Sequence, residues 1–105
     1  MSINSLDEKS FATSVLNKKG TTIVDFSSEW CGTCKILGKA LEELSPKYSS
    51  INVFKVDVDS NMGLAMKYKV GSVPFIVVFK DGVPVDQMTG FSGKGSLESL
   101  FTKYA

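Results

Sequence analysis

The sequence predicts an α/β protein in which a central mixed β-sheet carries helices on both faces. Three stretches rich in β-branched and apolar residues, at 21–26, 51–58 and 75–80, are typical of strands, and helical patterns separate them. An Asp-Gly pair at 81–82 then predicts a tight hairpin into a further strand at 83–89. Alternating strands and helices favour parallel pairing, whereas a hairpin joins antiparallel strands, so the sheet is expected to contain both.

The first helix is predicted over residues 5–20. Ser5 or Asp7 can cap its N-terminus, and Phe11 and Val15 fall on one face. The Lys-Lys-Gly sequence at its end carries the basic residues and the glycine that commonly terminate a helix. The strand that follows is apolar at most positions, as expected of a strand covered on both faces.

A second helix is predicted to begin near the cysteines and to weaken at Pro46. Apolar residues recur along it at helical spacing, which indicates a side packed against the sheet. This predicted buried stripe consists of Ile36, Leu37, Ala40, Leu41 and Leu44. A shorter helix is predicted at 60–68, where Gly63 is unfavourable. The apolar face of a final amphipathic helix consists of Leu97, Leu100, Phe101 and Tyr104.

Composition limits the classes of function. At 105 residues the chain is expected to form one domain over residues 1–105, large enough to be stable without metals or disulfides. Twelve basic and eleven acidic residues give a net charge of +1, so neither nucleic acid nor a membrane surface is an expected partner. The N-terminus lacks a signal-peptide pattern, and no apolar run is long enough to span a bilayer. We therefore expect a cytoplasmic protein, in a compartment where a disulfide is usually transient or catalytic.

Both cysteines of the chain, Cys31 and Cys34, lie in the sequence SSEWCGTCKIL. A structural zinc site needs four ligands, usually Cys or His, and this chain has two Cys and no His. A static disulfide across so short a loop would constrain the unfolded chain little. Two buried free thiols also fit poorly, because a residue between a strand and a helix start is commonly exposed. These arguments favour a redox pair.

A redox pair has a direct physical explanation at this position. The unpaired N–H groups and the positive dipole end of a helix N-terminus stabilise a thiolate. Cys31 is expected to attack the disulfide of a partner, and Cys34, one helical turn later, to displace the product by closing the internal disulfide. A Cys-x-x-Cys sequence within a strand–turn–helix is a strong signal for this chemistry.

Four segments of the sequence match one known family. They are VDFSSEWCGTCK at 24–35, KVDVD at 55–59, VGSVPFIVVFKDG at 70–82 and TGFSGKGSLESLF at 89–101. On these segments the sequence resembles the thioredoxin family, and the resemblance extends over nearly the whole chain. It implies the thioredoxin fold, a five-stranded mixed sheet flanked by four helices, in which Ser2–Leu6 adds a short edge strand.

The resemblance implies a role for each residue around the cysteines. Cys31 is the nucleophile and Cys34 is the resolving thiol, with Gly32 and Thr33 between them as part of the active site. Trp30 lies beside the cysteines and shapes the surface on which clients dock. The alternative for Trp30 is a core aromatic, since an indole is large and mostly apolar.

Three residues are expected to contact the substrate. Pro74 matches the cis-proline of the family and is expected to face the cysteines, whereas a plain strand-start proline is the alternative. The backbone of Val73 is expected to offer strand-like hydrogen bonds to a substrate peptide. Gly90 matches a glycine beside the active site, where a side chain would obstruct docking; alternatively it simply ends a strand.

Asp25 interrupts an otherwise apolar strand. If that strand is covered on both faces, the carboxyl group is buried and its pKa is raised. The resemblance implies that Asp25 exchanges a proton with Cys34 and that Lys55 lies nearby, where its charge would oppose part of the rise in pKa. The alternative for Lys55 is an ordinary solvated lysine.

The sequence departs from the family pattern at four positions. Thr33 stands where proline is most common, and Phe75 stands where threonine is usual. Ser27 replaces an aromatic or small apolar residue, and Lys39 replaces a helix-kinking proline. None of these changes removes a catalytic group. Threonine restores a backbone N–H and adds a hydroxyl, so Thr33 is predicted to donate to the Cys31 sulfur and to raise the redox potential.

The sequence therefore predicts a protein-disulfide reductase that works by dithiol exchange through a mixed disulfide. No cofactor or metal is required, because the electrons reside on Cys31 and Cys34. The expected partners of this predicted monomer are disulfide-containing clients and a thioredoxin reductase, NADPH- or ferredoxin-linked, that regenerates the dithiol. The alternatives are a more oxidising thiol oxidase or isomerase, and a non-catalytic binding module on the same fold. Retention of both cysteines, Asp25 and Pro74 argues against the binding module.

Overall fold

Five strands form a mixed sheet in the computed structural model, which describes residues 3–105. The strands are β1 (Asn4–Ser5), β2 (Thr21–Ser27), β3 (Ile51–Asp57), β4 (Phe75–Lys80) and β5 (Val83–Thr89). Their order across the sheet is β1-β3-β2-β4-β5, so β2 lies at the centre. β3 runs parallel to β1 and β2, whereas β4 runs antiparallel to β2 and β5. The predicted mixed sheet is confirmed, and β1 forms the edge strand expected within Ser2–Leu6, of which Ser2 lies outside the described residues.

Four α-helices of the described residues accompany the sheet. They are α1 (Glu8–Phe11), α2 (Gly32–Leu44), α3 (Met62–Lys67) and α4 (Lys94–Tyr104). A π-helical segment, Ala12–Leu16, continues α1, and a 3₁₀ turn, Ser45–Lys47, follows α2. The predicted set of strands and helices is confirmed in chain order. No helix within residues 3–105 combines the length and the apolar character that crossing a membrane demands.

The central strand β2 is buried on both faces because its side chains alternate between two apolar clusters. Val24 and Phe26 belong to one cluster, with residues of α1, the π-helical segment and α3. Ile23 belongs to the other cluster, with residues of α2 and α4. Helices therefore cover both faces of the sheet, as predicted. Asp25, two positions after Ile23, faces the α2 side.

The structure selects one of the two predicted caps of the first helix and corrects the burial of one residue in the second. Asp7 rather than Ser5 caps α1, because Ser5 is held in β1; the Asp7 carboxylate accepts from the Ser10 N–H at 2.8 Å. In α2, Ile36 is 60% exposed, so its assignment to the buried stripe is wrong. Ile36 lies about 90° around the helix from the centre of that stripe, at its edge. The other members of the predicted stripe are buried.

The β4–β5 hairpin is fixed to the start of β2, at the end of that strand opposite the cysteines. The Asp81 N–H donates to the Gly20 carbonyl at 2.9 Å, and the Gly20 N–H donates to the Asp81 carboxylate at 2.7 Å. Asp81 and Gly82 both have positive φ, at 51° and 82°, as expected of this tight hairpin. Gly82 lies so close to the Leu16 carbonyl that a Cβ atom there would collide with it. The hairpin predicted at 81–82 is confirmed.

Candidate active site

The two cysteines lie where the chain passes from β2 into α2. Cys31 is the N-cap residue of α2, with an extended backbone (φ −101°, ψ 111°), and Cys34 lies in the first turn. A disulfide joins the two residues, whose Cα atoms are 5.2 Å apart. The backbone N–H of Cys34 donates to the Cys31 sulfur at 3.1 Å. The helix N-terminus and this hydrogen bond both favour a thiolate at Cys31 once the disulfide is reduced.

The two cysteines differ in exposure to solvent. Cys34 is only 4% exposed, whereas Cys31 is partly exposed. A client disulfide can therefore reach the Cys31 sulfur, while the body of the protein shields Cys34. Thiol–disulfide exchange needs direct access of one sulfur to another, so the arrangement suits Cys31 to the first attack.

A cis peptide bond between Val73 and Pro74 lies next to Cys31, which confirms the predicted cis-proline. The Cys31 sulfur is 3.9 Å from the Val73 carbonyl oxygen. The Gly90 N–H donates to the Pro74 carbonyl at 2.9 Å. Gly90 directly follows β5 and has a φ of 74°, a left-handed conformation that favours glycine. The structure therefore brings these three residues together beside the disulfide.

Trp30, Gly32 and Thr33 are exposed around the disulfide. Trp30 is 89% exposed, so the alternative of a core aromatic is wrong. In this disulfide form the donor to the Cys31 sulfur is the Cys34 N–H, and the hydrogen bond from Thr33 to the Cys31 thiolate stays a prediction for the reduced form. An N-cap side chain accepts from the second or third residue of its helix, and here it accepts from the third. Any effect of this hydrogen bond on the redox potential therefore does not depend on Thr33.

Asp25 is 2% exposed within the central strand. Its neighbours across the sheet are Lys55 of β3 and Ile76 of β4. Its Oδ1 atom has no hydrogen-bond partner among the described residues. Burial raises the pKa of this carboxyl from 3.8 to about 7, and the positive charge of Lys55 opposes part of the rise. The predicted buried acid is confirmed, and Lys55 is both close to it and exposed.

A cavity of about 640 Å³ connects the buried acid with the second cysteine. Asp25, Cys34 and Lys55 all line it, and so do Ser27 and Lys39, which depart from the family pattern. A carboxyl group that opens into the same cavity as a thiol can exchange a proton with it, directly or through water. Within residues 3–105, no three acidic or cysteine side chains gather as metal ligands.

Two residues that the sequence analysis did not single out form a hydrogen bond at the loop before Cys31: Ser28, which lies in that loop, and Asp59, which follows β3. The Ser28 hydroxyl donates to the Asp59 carboxylate at 2.8 Å and accepts from the Trp30 N–H at 3.3 Å. A serine side chain that accepts from the N–H two residues later forms a common local turn. The sequence SSEW could therefore have indicated the hydrogen bond between Ser28 and Trp30. Asp59 is 31 residues away from Ser28, and no local pattern points to it.

The arrangement of these groups suits a single chemistry. Cys31 can form a disulfide with another molecule, and Cys34 lies at the right distance to break it by closing the internal disulfide. A mixed sheet with a cysteine pair at a helix N-cap, beside a cis-proline and a buried acid, defines a thiol–disulfide oxidoreductase.

Comparisons with known proteins agree with this class. The Thioredoxin family model matches residues 2–103. The thioredoxins of Staphylococcus saprophyticus and Staphylococcus aureus are each 43% identical to the chain over 88 residues, which are 83% of this chain and 85% of theirs. A solved structure of Plasmodium falciparum thioredoxin has a TM-score of 0.91 at 33% identity, covering 98% of this chain and 100% of that one. The chain belongs to the thioredoxin family, and its activity is protein-disulfide reduction.

Proposed function

We propose that Cys31 is the nucleophile and Cys34 the resolving thiol of this reaction. The Cys31 thiolate attacks one sulfur of a client disulfide, which forms a mixed disulfide and releases the other client sulfur as a thiolate. Cys34 then loses its proton and attacks the Cys31 sulfur, which releases the second client thiolate and closes the Cys31–Cys34 disulfide. Two electrons pass from the dithiol to the client. The observation that carries this proposal is the difference in exposure between Cys31, which is partly exposed at the N-cap, and Cys34, which is buried in the first turn.

Asp25 is the proposed acceptor of the Cys34 proton. Its pKa of about 7 leaves the carboxyl close to half ionised at neutral pH, so it can both take up and release a proton. Asp25 and Cys34 line one cavity, and Lys55 at the same cavity supplies a positive charge that favours the ionised acid. These contacts support a proton path within the cavity.

Client binding is proposed at the exposed surface around the disulfide. The Val73 carbonyl beside the Cys31 sulfur is a backbone acceptor for an extended client peptide. Gly90 is partly exposed at this surface, directly against the buried Pro74, and a glycine leaves room for the client. Trp30, Gly32 and Thr33 are exposed next to the cysteines and supply the rest of the proposed surface.

Single cysteine variants test this division of roles. Cys31→Ser should reduce a disulfide-bonded protein client no faster than dithiothreitol alone. Cys34→Ser should instead accumulate reducible adducts with the client, visible by mass spectrometry, because no thiol remains to resolve them. The double Cys31→Ser/Cys34→Ser variant is the matched control and should form no adduct. A Cys34→Ser protein that turns over at the wild-type rate would contradict the mechanism.

Members of this family work with a reductase and with disulfide-containing clients. For this chain we propose a thioredoxin reductase, NADPH- or ferredoxin-linked, as the partner that restores the dithiol. We also propose a monomer of one domain over residues 1–105, acting in the cytoplasm. The match of one family model to residues 2–103 supports the single domain. Catalysis above the dithiothreitol background separates this reductase from a binding module that does not turn over.

A further inference from the structure

Residues 28–31 form the turn that leads into α2, the Trp30 turn, and Ser28 closes it with two hydrogen bonds. Its side-chain oxygen accepts from the Trp30 N–H at 3.3 Å, and its carbonyl accepts from the Cys31 N–H at 3.3 Å. Ser28 therefore accepts from two of the three backbone N–H groups that follow it up to Cys31. The Trp30 side chain is 89% exposed and packs little, so the position of the indole depends on its backbone.

Asp59 connects this turn to the loop between β3 and α3. Its Oδ2 accepts from the Ser28 hydroxyl at 2.8 Å. Because the hydroxyl proton is directed at the carboxylate, the oxygen lone pairs of Ser28 remain available to the Trp30 N–H. The Asp59–Ser28–Trp30 chain of hydrogen bonds thus requires both Ser28 and Asp59 in their present geometry.

The β3–α3 loop is itself held in place by Asp57. The Asp57 Oδ1 atom accepts from the Asp59 N–H at 3.1 Å. The Asp57 carbonyl accepts from the Asn61 side-chain amide at 3.0 Å. Asp59 is therefore a fixed support for the Trp30 turn, since its own backbone is anchored to the end of β3.

We propose that Ser28 and Asp59 are positioning residues that hold the Trp30 turn in the geometry required for client docking. This inference rests on the proposed client surface around Trp30. The hydrogen bond to the Cys31 sulfur comes from Cys34, inside α2, and does not involve the Ser28–Asp59 pair. Loss of the pair therefore weakens client binding and leaves the sulfur chemistry intact.

The test compares Ser28→Ala, Asp59→Ala and the double variant in the reduction of a disulfide-bonded protein client. Each single variant should raise KM about five-fold with kcat nearly unchanged, the factor that one net hydrogen bond of about 1 kcal/mol provides. The double variant should lose no more than the single variants, because both residues act through one chain of contacts. Asp59→Asn should retain most of the activity, since the amide oxygen still accepts from Ser28.

Ser60→Ala is the matched control. It removes the hydrogen bond from the Ser60 hydroxyl to the Asp57 Oδ2 atom at 2.9 Å, in the same loop. The Asp57 Oδ1 atom still anchors the Asp59 N–H, so this variant should keep the wild-type KM. Trp30 is the only tryptophan of the chain, so its fluorescence anisotropy reports the turn directly and should fall in Ser28→Ala but not in Ser60→Ala.

Three results would overturn the inference: an unchanged KM in Ser28→Ala, losses that multiply in the double variant, or equal effects of Ser28→Ala and Ser60→Ala. A loss of stability in Ser28→Ala without a change in KM would likewise overturn it, because Ser28 and Asp59 would then stabilise the fold without affecting client docking. Wild-type catalysis above the dithiothreitol background is a separate measurement, so failure of the reductase mechanism is distinguishable from failure of this inference.

Discussion

Replacing Asp25 with asparagine should stabilise the oxidised protein at and above neutral pH. Asparagine has the shape of the carboxyl group but remains neutral at every pH. In the native protein, burial raises the Asp25 pKa from 3.8 to about 7, so the folded state disfavours the ionised acid relative to the unfolded state. Removing the ionisable group removes that penalty.

The size of the penalty depends on pH. Below about pH 4 the Asp25 carboxyl is protonated in both states, and the penalty is absent. From there to the folded pKa, the unfolded state has released its proton and the folded state has not, so the free energy of unfolding falls by up to about 1.4 kcal/mol per pH unit. Above the folded pKa of about 7 the penalty is complete, at roughly 4 kcal/mol for the interval from 3.8.

Urea unfolding of the oxidised wild type and Asp25→Asn, followed by circular dichroism, measures this difference from about pH 4 to about pH 8.5. Other titrating groups are common to both proteins and cancel in the difference. Asp86→Asn is a control of opposite sign, because hydrogen bonds from Tyr104 and Lys103 lower the Asp86 pKa. That variant should be less stable than wild type near neutral pH, and the deficit should vanish in acid. A difference for Asp25→Asn that stays constant with pH would refute the buried ionisable acid.

Thr22→Val should stabilise the fold by about 1 kcal/mol in urea unfolding, because the buried Thr22 hydroxyl has no hydrogen-bond partner among the described residues. Thr21→Val is the control and should lower the free energy of unfolding, since the Thr21 hydroxyl donates to the Tyr104 carbonyl at 3.3 Å. Equal effects of the two substitutions would contradict an unsatisfied hydroxyl at Thr22. Gly82→Ala should cost more than about 2 kcal/mol, because it adds a clash with the Leu16 carbonyl to a left-handed φ. Gly20→Ala, with a similar φ and free space, should cost about 1 kcal/mol, and equal losses would exclude the clash.

Local patterns were sufficient for most of the fold. Strands such as 75–80 and the hairpin at 81–82 were predicted with correct bounds because strand propensity and turn chemistry act over neighbouring residues. Ile36 was wrongly predicted to be buried, because the spacing of apolar residues shows which side of a helix faces the core better than it shows how wide the buried stripe is. The π-helical segment Ala12–Leu16 has no local sequence signal comparable to a cap or a turn.

The active site was predictable to the extent that its parts are local or shared with a family. The position of Cys31 at a helix start follows from the strand–turn–helix pattern. The cis bond before Pro74 came from the resemblance alone, because few prolines adopt it. The Ser28–Asp59 hydrogen bond was missed since its partners are 31 residues apart, and only the pairing of β2 with β3 brings them together.

The order of the strands also determines when the active site can form during synthesis. β2, which ends just before the cysteine loop, is flanked by β3 and β4, and Thr21 pairs with Lys80 far along the chain. Pairings between such distant segments form slowly, because a long loop must close before any contact stabilises it. A nascent chain therefore carries both cysteines on an incomplete scaffold until β4 has been made. In that interval Cys31 lacks its cis-proline neighbour, and the reductase acquires its working geometry only after most of the polypeptide is available to fold.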